Sequence, residues 1–239
     1  MSFWAQVGQF FVHNYALLLS EAGHQIVLAL LAVCTATVIA LPIGVTVGHL
    51  HRWSFLAISG GNALRALPTL AIVAVGIGIY GLGYVNIWVA LVVLALPLIL
   101  TNTYVAVDGV SHEMVEAARG MGMNAWQIVT RVELPSAVPL IMAGIRTATV
   151  YVIATAYLAG FAGSPGTLGD IITNPGSYHL AGVLAASVVA VALAFLAELV
   201  LGVAQRALTP RGLSYLRDDH HPTPDAPATP TTTAASAAA

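Results

Sequence analysis

Residues 26–47 read IVLALLAVCTATVIALPIGVTV, an apolar run without a single charged side chain. A helix rises about 1.5 Å per residue, so about 20 such residues cross the roughly 30 Å hydrocarbon core of a bilayer. Three further stretches, 87–107, 138–162 and 180–203, meet the same length and are nearly as apolar. A fifth, about 64–82, is shorter and is interrupted by Pro68 and several glycines. Five spans are therefore expected, the second the least regular. Pro42, Pro97 and Pro139 lie within spans or at their starts, where neighbouring helices can satisfy the freed backbone groups. No period-two alternation is present, which argues against a β-barrel. The expected fold class is an all-α membrane protein.

Composition agrees. Of 239 residues 58% are hydrophobic and only 8% are charged, against about 25% charged in an ordinary soluble domain. The apolar excess also rules out a disordered chain. There are 8 arginines, no lysine and 10 acidic residues, for a net charge of −2. That balance leaves no basic footprint, so no nucleic-acid partner is expected. Cys34 stands alone, which excludes an intrachain disulfide and a cysteine zinc site. It reads as an inert buried thiol. No metal is expected. His220 and His221 are adjacent on a floppy segment and make a poor site.

Arginine placement orients the chain, because basic residues are retained on the cytoplasmic side. With five spans, Arg52, Arg119, Arg131, Arg206, Arg211 and Arg217 fall on one side, with Arg65 near it. The opposite segments, 1–25, 83–86 and 163–179, contain no arginine. The N-terminus is thus expected outside and the C-terminus inside. The first ten residues lack the basic region of a secretory signal, so the first span is expected to stay in the mature protein. Residues 1–23 read as an external lead-in, with His13, Glu21 and His24 bordering the first span. The membrane domain is expected over 24–209. Residues 210–239, rich in Pro, Thr, Ala and Ser, read as a disordered cytoplasmic tail.

Between the third and fourth spans lies a polar stretch, GVSHEMVEAARGMGMNAWQIVTRVELPSAVPLIMAGIRTATV, at 109–150. Helix signals divide it in two. Ser111 can cap a first helix with Glu113 in its first turn. Gly120 and Gly122 permit a reversal that a bulkier residue resists. Asn124 and Gln127 match a variant of the capping box. Pro135 is expected to stop that second helix and Ser136 to cap the next span. A helix–turn–helix is thus expected over a loop of about 108–136.

Within this loop Glu116-Ala117-Ala118, Gly122, Val132 and Leu134-Pro135 resemble the EAA-x3-G-x9-I-x-LP signature of ATP-binding-cassette (ABC) importer permeases, with Val132 in place of Ile. The resemblance extends over most of 20–210. NALRALPTLAIVAVGIGIYGLG, LPLILTNTYVAV and AGIRTATVYVIATAYLAGFAG look like the osmoprotectant subfamily, which imports glycine betaine, carnitine, choline or proline. The loop Gly163–Asp170, GSPGTLGD, departs from that subfamily's glycine-rich pattern. The resemblance implies a type I importer permease fold, in which the loop forms a coupling helix docked on a cytoplasmic ATPase. It further implies a second permease copy or paralogue and an extracytoplasmic solute-binding protein. No cofactor is expected on this chain. The phosphate-binding G-x-x-x-x-G-K-[ST] loop needs a lysine, so ATP and Mg are expected on the ATPase.

Charges inside spans are costly and are functional candidates by default. For Arg146 and Glu198, an ion pair or partner-changing gate stands beside snorkelling to the interface. Thr101, Asn102, Thr103 and Tyr104 can line a pathway or make interhelical hydrogen bonds. Tyr80, Tyr84 and Trp88 fit an aromatic belt or a cation cage. Asp170 is either a solvated turn residue or a substrate ligand. Three further readings remain: a permease for methionine or another amino acid, a passive channel, and an intramembrane hydrolase. The last would need a Ser/His or Asp pair at one depth, whereas His24, His49, His51 and His179 sit at span ends. The arginine pattern makes a direct prediction. In a Cys34→Ala background, an impermeant thiol reagent added to intact cells labels Asp170→Cys and leaves Arg131→Cys unlabelled. Labelling at 131 reverses the orientation.

Overall fold

The computed structural model describes residues 2–50, 59–61, 63, 67–164 and 166–208. Arg52, Arg65, Arg211, Arg217, His51 and the expected tail lie outside the described residues. Those described are helical, with no strand among them. Helix α1 covers Phe3–His13, α2 Tyr15–Leu50, α3 Thr69–Tyr80 and α4 Tyr84–Asp108. Then come α5, His112–Gly120; α6, Ala125–Ile128; a π turn, Val129–Glu133; and α7, Leu134–Thr155. A 3-10 turn, Ala156–Gly160, leads to α8, Leu168–Thr173, and α9, Pro175–Leu208. His179, with φ of 55°, breaks α9 near its start.

Four helical runs are long and apolar enough to span a bilayer: Tyr15–Leu50, Tyr84–Asp108, Ala125–Gly160 and Pro175–Arg206. Of the expected second span, whose residues 64–66 lie outside the described residues, the structure has the 12-residue α3, which rises about 18 Å. Pro68 stands at its N-terminal boundary and Gly81, with φ of 76°, at its end. Pro68 itself has extended backbone, with ψ of 124°, so the helix begins after it. Asn86, buried on α4, donates from Nδ2 to the Val73 carbonyl at 3.1 Å and pins α3 in place. The lead-in contains helix α1. Phe10 and Phe11 of α1, with Val7, pack on Ala181 and Ala185 of α9, and α2 begins well before residue 26.

Lipid tails are as apolar as leucine, so membrane helices gain little from burial and associate by close packing. The contact between α2 and α4 is built that way. A Cβ at Gly44 would lie 2.7 Å from the Thr103 Cβ, and one at Gly48 would lie 2.7 Å from the Val107 Cβ. Spaced four apart, the two glycines let the backbones approach along one face. Around this seam Leu28, Ala32, Ala36, Leu91, Ala95, Ile99, Ala148 and Val152 form the main core. Cys34 falls off that stripe and is exposed on the outer face of α2, contrary to the buried thiol expected. Its sulfur is small and apolar enough to face lipid.

Overpacking a tight contact costs about 1–3 kcal/mol. Gly48→Leu should therefore lower the thermal unfolding midpoint of the detergent-purified protein. Gly23→Ala, where nothing lies within 4 Å, should leave it within a degree or two of the parent.

Candidate functional site

The polar stretch folds into a small hairpin with its own core. Val115 and Ala118 of α5 meet Ile128 of α6, with Val110, Met123 and Val132 around them. Ala118 is buried, whereas Glu116 and Ala117 point outward. Glu116 Oε1 lies 3.1 Å from His112 Nε2 one turn away. Gly122 makes the reversal with φ of 83°, a conformation that costs L-residues about 1–2 kcal/mol. Gly120 is still helical and contributes no positive φ. Ser111 occupies the cap position of α5 without a side-chain capping bond. The second cap is complete: Gln127 N donates to Asn124 Oδ1 and Asn124 N to Gln127 Oε1, both at 2.9 Å.

Pro135 does not stop the helix and Ser136 caps nothing. From Ala125 to Gly160 the chain is one continuous helical run. The reason is the π turn. Leu134 N donates to the Val129 carbonyl, five residues back, so the helix is underwound just before the proline. Pro135 lacks the N–H that would otherwise reach Arg131, and the widened turn accommodates the loss. Leu134 meanwhile packs against Ala106 and Val107 at the end of α4, with Ala137 and Ile141 of α7 in the same cluster. The hairpin is thus continuous with a long apolar helix.

Two sets of residues here escaped the reading of the sequence. Met121 at the turn is 71% exposed and Trp126 on α6 is 75% exposed, a large apolar surface on an otherwise polar knob. Glu133, by contrast, is 2% exposed, and both its carboxylate oxygens lie 2.9 Å from His49 Nδ1 at the end of α2. Glu133 could have been flagged as an acid in an apolar setting, VELP. His49 could not, because 84 residues separate the pair.

The structure brings Arg146 and Glu198 together. Arg146 Nη2 contacts Glu198 Oε1, and Nη1 donates to Gln205 Oε1 at 3.1 Å. Gln205 Nε2 in turn donates to the Pro139 carbonyl at 3.3 Å. Glu198, Gly202 and Gln205 recur on one face of α9. The guanidinium rests against Gly202, where a Cβ would lie 3.1 Å from Arg146 Cζ. Arg146 therefore ties α7 to α9 through a partly exposed contact.

Two members of the polar cluster on α4 bond along their own helix. Thr101 Oγ1 donates to the Pro97 carbonyl and Asn102 Nδ2 to the Leu98 carbonyl, each at 2.7 Å on the same helix. Thr103 is buried against Gly44, and Tyr104 Oη donates to Asp108 Oδ2 at 3.2 Å. Asn102 also lies close against Gly144 of α7. Tyr80 and Tyr84 are exposed beside the 81–83 turn, and Trp88 packs on the main core. Asp170 sits in the first turn of α8 and accepts from Asn174 Nδ2 at 2.9 Å.

These features define a multi-pass, all-helical membrane protein with a helical knob at one end. The chain belongs to the family of binding-protein-dependent transport system inner membrane components, whose model matches residues 22–212. It is similar to the glycine betaine/carnitine/choline transport system permease protein OpuCB of Bacillus subtilis, 36% identical over 89% of this chain and 98% of the relative. It is also 38% identical to the choline transport system permease protein OpuBB of the same organism, over 88% and 97%. In fold it matches the MetNI methionine ABC transporter solved in inward-facing form, with a TM-score of 0.72. There the identity is 23%, and 82% of this chain and 98% of that chain are covered.

The Arg146 contacts make a prediction. Arg146→Ala and Glu198→Ala should each lower thermal stability in detergent, and the double variant should lose less than the sum. A coupling of about 0.5–3 kcal/mol is expected for residues in one network. Strict additivity would show two independent residues.

Proposed function

We propose that this chain is the translocation subunit of an ATP-driven importer of osmoprotectants such as glycine betaine, carnitine, choline or proline. The observation that carries the substrate class is the likeness, over nearly the full length of both relatives, to permeases named for glycine betaine, carnitine and choline. The methionine transporter is alike in fold alone.

In this reading the knob formed by α5 and α6 docks in a cleft of a cytoplasmic ATPase. Glu116 and Ala117, with Met121 and Trp126, are its outward surface, and Gly122 shapes the reversal. Ala118 and Val132 hold the knob together, while Leu134 and Pro135 join it to the span. Support comes from mechanics: a knob continuous with a spanning helix moves that helix when it is moved. The subunit itself is non-catalytic, and ATP with Mg binds the ATPase, in keeping with a sequence without lysine. A second permease, identical or paralogous, completes the pathway, and an extracytoplasmic binding protein delivers solute. Arg146 and Glu198 brace the bundle, and Asn102, Thr103 and Tyr104 lie on the helix facing that pathway. The N-terminus lies outside. Among the described residues Arg119, Arg131 and Arg206 all fall at the knob end, which supports that orientation.

Proteoliposomes holding this chain, its ATPase and its binding protein should accumulate radiolabelled glycine betaine only with ATP. Gly122→Leu and Glu116→Lys should insert normally, yet lower uptake at least about tenfold, the equivalent of roughly 1.4 kcal/mol. The binding protein's affinity for solute should be unchanged. Wild-type uptake by both variants with the ATPase still bound overturns the coupling role. Accumulation of methionine in place of glycine betaine overturns the substrate class.

A further inference from the structure

We infer that Glu133 and His49 form the joint through which movement of the knob reaches α2, and so the packed α2–α4 pair. This rests on the coupling role proposed for the knob and names the residues that pass its motion onward.

Three observations converge on the pair. The first is burial. Glu133 is the one acidic or basic side chain buried among the described residues, and a buried polar group needs a hydrogen-bond partner. Here the partner comes from another helix: His49 Nδ1 meets both oxygens at 2.9 Å.

The second is position. Glu133 is the last residue of the π turn and lies two before Pro135. A π turn followed by a proline is where a continuous helix bends most readily. The knob and α7 therefore pivot about the segment that carries Glu133. A cavity of 190 Å³, lined by His49, Val110, His112, Arg119 and Glu133, lies between α5 and the end of α2. The Glu133–His49 contact borders that cavity and is the polar link there, beside the apolar cluster that Leu134 shares with Leu41 and Val45 of α2.

The third is where the motion would go. Close to His49 on α2, Gly48 is packed on Val107 and Gly44 on Thr103 of α4. With no room to slide, displacement of the α2 end drags α4, the helix bearing Asn102 and Thr103. His49 and Glu133 are thus positioning residues, acting through the helices they join.

The test uses the complete reconstituted importer and compares ATP hydrolysis with and without liganded binding protein, together with uptake per ATP. Glu133→Ala and His49→Ala should assemble with the ATPase and keep basal hydrolysis within about twofold of the parent. Stimulation by liganded binding protein should fall at least tenfold in each. The double variant should be no worse than either, because one joint is broken in all three. Glu133→Gln, which retains a hydrogen bond to His49, should recover part of the stimulation. Should the alanine variants fold poorly, a Cys34→Ala chain with His49→Cys and Glu133→Cys replaces them. Its stimulation should be low before, and restored after, bridging with a short bifunctional thiol reagent.

Full stimulation in both alanine variants, or no recovery on bridging, overturns the joint. Gly122→Leu, run in parallel, separates the two ideas. If it loses stimulation while the alanine variants keep theirs, the knob stands and the joint falls. If all three keep it, both fall.

Discussion

Hydrocarbon offers no hydrogen-bond partner to a backbone, and no hydrophobic gain to two helices that meet within it. Every spanning segment of this chain must therefore be a helix, and its helices must be held by fit and by a few polar links. The α2–α4 seam shows the first solution, with Gly44 and Gly48 giving way to Thr103 and Val107. The second appears where Asn86 reaches the Val73 carbonyl and where Arg146 reaches Glu198 and Gln205. Threonines and asparagines elsewhere bond carbonyls four residues back on their own helix, so they add polarity without cost to the apolar surface.

The same constraint explains the run from Ala125 to Gly160. A helix entering the membrane beside Pro135 could have broken there, leaving the knob on a flexible tether. The π turn keeps the backbone paired through the proline, so the knob and α7 remain one body with a single soft point. Glu133 stands at that point and is tied to α2. Under the coupling role proposed for the knob, that polar link would pass a displacement outside the bilayer on to α2. The exposed Trp126 and Met121 give the knob an apolar contact surface, and the cap at Asn124 and Gln127 holds its second helix in register.

Much of this was legible beforehand, for identifiable reasons. Long spans announce themselves by composition, since crossing 30 Å of hydrocarbon leaves few residue types available. The knob was legible because caps and turns are local: Asn124 with Gln127, and Gly122 at the reversal, are decided by neighbours in the chain. Local signals also misled. Pro135 and Ser136 read as stop and start, and Gly120 as part of the turn, because the π turn that carries the helix past the proline has no simple sequence mark. The stretch 64–82 read as a span by its length of apolar residues, whereas Pro68 and Gly81 confine the helix to Thr69–Tyr80.

By itself the sequence determined that this protein lies in a membrane, where four long apolar helices run along the chain, that a helical hairpin follows the second of them, Tyr84–Asp108, and the family it resembles. Each of those depends on composition or on residues within a turn or two of one another. Only the tertiary structure decided which polar groups meet. Arg146 selects Glu198 and Gln205 across 52 and 59 residues, Glu133 finds His49 across 84, and Cys34 turns outward. Such pairings are set by the rotation and depth of each helix against its neighbours. Those are fixed by side chains interlocking across the bundle, such as Gly48 on Val107, and no pattern along a single helix encodes them.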